Sequence, residues 1–159
     1  MQKLLNAVVA FIVAVALTWI PSFAVDSADA VEYKPGLQFT IAPYGDFEQS
    51  QSGPIYSPGH EVHVYYDALR ASSENPSCPP FGPETEVTGY VMSDNSGDFQ
   101  PFPLVSLDPP AVDFVKFGSF KTPACYEGSD YIEIWFTGTG DGCVDSDYGY
   151  NYKFPVICE

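Results

Sequence analysis

The stretch Gly138-Thr-Gly-Asp-Gly-Cys-Val-Asp-Ser-Asp-Tyr-Gly-Tyr-Asn-Tyr152 places Asp141, Asp145, Asp147 and Asn151 among glycines that let a backbone turn. Carboxylate and amide oxygens on a turning chain suit calcium, a hard cation that takes oxygen ligands. The spacing departs from an EF-hand, because no glycine follows the third ligand and the closing glutamate is missing. The alternative is that these Asp and Asn side chains cap turns by bonding their own backbone. No other cofactor is implied. Catalytic patterns are missing: there is no G-x-S-x-G, His60-Glu61-Val62-His63 falls one residue short of H-E-x-x-H, and no glycine-rich phosphate loop opens a helix. His60 and His63 lie three apart, which in a strand turns them to opposite faces, and no third metal ligand is close in sequence. Glu133, between Ile132 and Ile134, reads as a solvated charge, and the chain reads as a protein without enzymatic machinery.

Aromatic side chains offer the second kind of chemistry. Trp135 is out of phase with Ile132, Ile134 and Phe136, so strict alternation turns its indole away from the core, and Tyr131 points the same way. Sugar rings stack on such rings because their C–H faces bury apolar area while the hydroxyls stay wet. Tyr126, Tyr148, Tyr150 and Asn151 complete a candidate platform for a glycan. The competing reading covers Trp135 with a loop or packs it on an edge, since large rings are usually mostly buried.

The chain has 21 acidic and 6 basic residues in 159, a formal net charge of −15. That field repels phosphate backbones and anionic membrane surfaces, which excludes nucleic acid as a partner and favours neutral or cationic glycans over sulfated ones. The opening segment is read as a secretory signal peptide, residues 1–24. Lys3 precedes an unbroken apolar run from Ala7 to Leu17, and Pro21-Ser22-Phe23-Ala24 supplies small residues for cleavage, expected after Ala24 with Ala30 as a second site. A membrane anchor is the alternative, but Leu4 to Ile20 contains Asn6 and is short for a bilayer span. Residues 25–36 are expected to form a flexible tail and residues 37–159 one folded domain.

Positioning these side chains falls to strands. Period-two alternation interrupted by turn residues predicts Leu37–Ala42, Glu61–Tyr66, Glu86–Met92, Phe99–Leu104, Val112–Phe117, Tyr131–Thr137 and Tyr152–Cys158. About seven short strands fit an all-β fold, a single antiparallel two-sheet β-sandwich of the immunoglobulin-like or carbohydrate-binding-module-like kind. Pro101, Pro103 and Pro155 cannot donate to a ladder, which predicts sheet edges for their strands. Only Asp67–Ser73 suggests a helical turn.

Four cysteines in an exported chain read as two disulfides; zinc competes poorly without a C-x2-C pair. If Ile132–Phe136 pairs antiparallel with Tyr152–Val156, opposed residue numbers sum to about 288, which puts Cys158 opposite position 130 and nearest to Cys125. The expected bridges are therefore Cys125–Cys158 and, by elimination, Cys78–Cys143.

Asp145, Gly149, Asn151 and Tyr152 are similar to the W-D-N-N-x-G-x-N-Y signature of starch- and glycogen-binding β-sandwich modules, although Val144 replaces the tryptophan and Ser146 and Asp147 replace the two asparagines. Over most of residues 37–157 the chain also resembles a family of exported bacterial proteins known only as a domain of unknown function. That likeness rests on Tyr66-Asp67-Ala68-Leu69-Arg70, Ile134-Trp135-Phe136, Gly142-Cys143 and Asn151-Tyr152-Lys153-Phe154. It implies a sandwich and no assigned activity. Together these readings predict a secreted, non-catalytic binding module with a glycan as ligand. The alternatives are an extracellular structural or protein-interaction role and a calcium-binding sandwich.

Overall fold

A computed structural model describes residues 32–43, 45–70, 78, 81–107, 113–126, 128–138 and 142–159. The expected signal segment and residues 25–31 lie outside the described residues. Tyr33–Glu159 form one compact unit. The strands are β1 Gly36–Ile41, β2 Phe47–Gln51, β3 Tyr56–Ser57, β4 Glu61–Asp67, β5 Val87–Ser93, β6 Phe99–Ser106, β7 Val115–Lys121, β8 Tyr131–Gly138, β9 Val144–Asp145, β10 Tyr152–Pro155 and β11 Ile157–Cys158. No helix occurs among the described residues; of the expected helical turn Asp67–Ser73, residues 68–70 make a plain turn and 71–73 lie outside the described residues.

The expected two-sheet antiparallel sandwich is not what forms. Nine strands make one curled, mixed sheet, a half-barrel in the order β10-β8-β5-β6-β7-β4-β1-β2 with β9 beside β8, while β11 and β3 make a small second sheet. The pairs β1–β4 and β3–β11 are parallel. Curling lets the sheet bury its inner face against itself. Phe39 on β1 meets Phe136 on β8 at 4.7 Å and Tyr152 and Phe154 on β10 at 5.3 and 5.5 Å between ring centroids, so opposite halves of the sheet touch through aromatic edges.

Side-chain phase follows the sequence pattern. Leu37, Phe39, Val62, Val64, Tyr66, Val87, Val91, Ile132, Ile134, Phe136, Tyr152 and Phe154 are all buried. The β8–β10 register sets Tyr152 opposite Ile134, two residues from the expected alignment. A slip of two leaves every side chain on its original face, whereas a slip of one would have reversed them all. Cys78 is bonded to Cys143 and Cys125 to Cys158, with Cα separations of 5.7 and 6.0 Å.

Two expectations about individual strands need correction. The strand predicted over Val112–Phe117 begins later, at Val115, and runs to Lys121. The strand containing Pro101 and Pro103 is not at an edge of the sheet but lies between β5 and β7. Its ladder to β7 comprises only Val105↔Phe117 and Ser106↔Lys116, so on that flank both prolines stand outside the paired residues. Pro155 does fall on an edge strand.

Phe102 lies directly opposite Gly89 and its ring fills the space where a Cβ at residue 89 would stand. Gly89→Ala is expected to cost about 1–3 kcal/mol through overpacking, read as a lower midpoint in urea unfolding.

Candidate functional site

The outward face of β8, β5 and β6 carries an aromatic strip. Register sets Trp135 opposite Tyr90, and neighbouring side chains on one face of a pair come into contact. Their rings stack at 5.3 Å with an 8° interplanar angle, and Phe99 meets Trp135 and Tyr90 edge-on at 5.6 and 5.7 Å. Trp135 is half-buried by this company, and Phe99 is 56% exposed. Alternation carries the strip along β6 through Pro101, Pro103 and Val105, and then to Phe117 and Tyr65, whose rings lie 5.2 Å apart.

Hydrogen-bonding groups border the indole. Glu133 turns outward as expected, yet it is only 7% exposed and is not a freely solvated charge. It accepts from the Asn151 side-chain amide at 2.8 Å and pairs with Lys153 Nζ at 3.0 Å, and Lys153 also pairs with Asp94 at 2.9 Å. Hydrogen bonding shared with Glu133, and then a bond from the Lys153 ammonium, holds the Asp94 carboxyl below its ordinary value. Bonds to Asp94 and Glu133 raise the Lys153 ammonium.

The six residues expected to bind a ligand fall into two groups. Trp135 and Tyr131 share the outward face with Glu133 between them. Tyr126 joins Tyr131 where β8 begins, because Ser129 donates its N–H to the Tyr126 carbonyl and its hydroxyl to the Tyr131 carbonyl. Tyr148, Tyr150 and Asn151 sit in the turn after β9, where Asp147, Tyr148 and Asn151 all have positive φ. The Ser146 carbonyl accepts from the N–H groups of Gly149 and Asn151, which offsets part of that strain and leaves Tyr148 and Tyr150 74% and 77% exposed.

This turn forms one wall of a cleft of about 740 Å³ between the two edges of the half-barrel. Gln49 and Gln51 of β2 line one side, and Asp147, Tyr150, Asn151 and Lys153 line the other. Of the expected ligand residues, Tyr150 and Asn151 reach it. Sequence reasoning missed the cleft because Phe47–Gln51 reads Phe-Glu-Gln-Ser-Gln and shows no apolar alternation.

Of the acidic residues expected to hold calcium, Asp141 lies outside the described residues and Asp147 lines the cleft. Asp145 is fully buried. Its carboxylate accepts from the Tyr66 hydroxyl at 2.8 Å, from the Tyr152 hydroxyl and from Arg70 Nε at 3.2 Å. Among the described residues no group of three or more His, Cys, Asp or Glu side chains gathers as a metal site. Arg70, also fully buried, donates Nη1 to the carbonyls of Thr40 and Glu48 at 2.6 and 3.0 Å and lies 4.3 Å from the centroid of the Phe47 ring. Burial first, and the neighbouring Asp145 charge second, push the Tyr66 phenol well above its ordinary value of 10.0. Period-two reading gave no signal for this ion pair, whose members are 75 residues apart in the chain.

No protein-family model, curated protein or solved structure matches the chain. The functional reading therefore rests on these residues themselves.

Asp145→Ala strands the Arg70 charge in the interior and is expected to cost about 3–5 kcal/mol of unfolding free energy, read by denaturant titration. A raised tyrosine value stabilises the folded chain fully below pH 10.0 and progressively less above it, since the unfolded chain releases that proton first. Tyr66→Phe should therefore flatten the fall in thermal stability between neutral and strongly alkaline pH. An alkaline limb as steep as that of the wild type would show that Tyr66 does not contribute to it.

Proposed function

We propose that the chain is an exported, non-catalytic binding module that takes a carbohydrate on the outward face of β8, β5 and β6. The observation that carries this reading is the Trp135–Tyr90–Phe99 cluster standing on a solvent-facing sheet, bordered by Glu133, Asn151 and Lys153. Rings supply apolar surface for the C–H faces of a sugar, and the bordering amide, carboxylate and ammonium are the groups that read hydroxyls. The strongly acidic composition favours a neutral or cationic glycan. Export is supported by the signal-like first 24 residues and by two disulfides, which are consistent with an extracellular location.

A second reading rests on the length of the strip. Val105 is 55% exposed and, with Pro101, Pro103 and Tyr65, extends the apolar surface beyond the indole, as a docking surface for another extracellular protein would.

Retention on insoluble polysaccharides and binding to a glycan array test the first reading. Trp135→Ala is expected to weaken binding by about tenfold or more, with the circular dichroism spectrum unchanged. Failure of the wild-type protein to bind any glycan would end the carbohydrate reading and leave the docking surface.

A further inference from the structure

We propose that the open edge of β2 is a strand-addition site for an extended, positively charged segment of another protein. The parity of the β1–β2 ladder decides which backbone groups of β2 point away from β1. Ser52 donates to the Gly36 carbonyl at 2.9 Å and Ala42 to the Asp46 carbonyl at 2.8 Å, in the register that also opposes Gln38 to Ser50 and Thr40 to Glu48. Hydrogen-bonded and non-bonded pairs alternate in an antiparallel ladder, so the even-numbered residues of β2 exchange bonds with β1. The N–H and C=O groups of Phe47, Gln49 and Gln51 then turn to the other side, where β2 has no strand partner among the described residues.

Edges of this kind are usually blunted by proline, lysine, shortness or a bulge. The opposite edge of the half-barrel is blunted in that way. β10 has four residues, ends in Pro155, which lacks an N–H, and carries Lys153, whose ammonium is engaged by Asp94 and Glu133. β2 has five residues, no proline, no lysine and a single charge, Glu48. Its backbone groups are left ready to pair, and the cleft beside it gives an added chain room.

Charge selects the occupant. Asp46 and Glu48 are exposed at β2, and Asp147 stands across the cleft. The single lysine lining the cleft is already in ion pairs. A net charge of −15 repels a second copy of the chain, whereas lysine or arginine side chains on an added strand would meet Glu48 across the new pair.

The probe is a blocked synthetic peptide of about nine residues alternating lysine and valine. Peptide binding is expected to slow hydrogen exchange at the Gln49 and Gln51 amides by about tenfold or more. Gln49→Pro removes an N–H that β1 does not use, so it should abolish binding and keep the wild-type circular dichroism spectrum. Gln49→Ala, which alters only the side chain, should bind within about twofold of wild type. Unchanged exchange at both amides in the wild-type protein would overturn the proposal, whatever the folding of the proline variant. So would loss of binding in Gln49→Ala with retention in Gln49→Pro, which marks side-chain recognition of the kind a glycan would use. Protection of these amides without peptide, in a dimer seen by sedimentation, would assign the edge to a second copy and also overturn it.

Discussion

A guanidinium sealed from water must be held on several sides at once, and that requirement organises the half-barrel. Arg70 follows β4, yet its bonds reach Asp145 on β9 and the carbonyls of Thr40 on β1 and Glu48 on β2. Tyr66 and Tyr152 bring β4 and β10 to the same carboxylate. Five strands thus converge on one charge pair that periodic burial alone would not bring together. An ion pair of this kind contributes little net stability over an apolar set of the same shape, because desolvation offsets attraction. The arrangement is geometrically demanding, because a misplaced strand would leave a buried charge or carbonyl without its partner.

The same node explains where the expected ligand chemistry went. Asp145 and Tyr152, two of the residues that resemble the glucan-binding signature, bond to one another inside the core. Asn151 instead donates its side-chain amide to Glu133, on the face that carries Trp135. The surface candidates are consequently divided by β10, with the aromatic strip on the sheet's outward face and the cleft at its seam.

Face assignment was legible in the sequence because it depends only on alternation, and Leu37, Phe39, Ile132, Ile134 and Phe136 are buried as their phase requires. Even a register displaced by two residues preserved it. Sheet closure was not legible. It depends on pairings such as the parallel β1–β4 contact, which no local pattern encodes. β2 was hidden because amides and a serine dominate it, and β9 because two residues carry no period. The indole's outward direction was readable from phase, but its partners Tyr90 and Phe99 came from strands whose order the sequence does not disclose.

The position of Tyr152 also bears on how the chain acquires its fold. Arg70 and Asp145 emerge during synthesis before the phenol that bonds Asp145, and Phe39 waits from near the start of the domain for Tyr152 and Phe154 near its end. A growing chain therefore carries an incomplete core until its last strands are released. The aromatic contacts that close the half-barrel can form only after the last strands have been made.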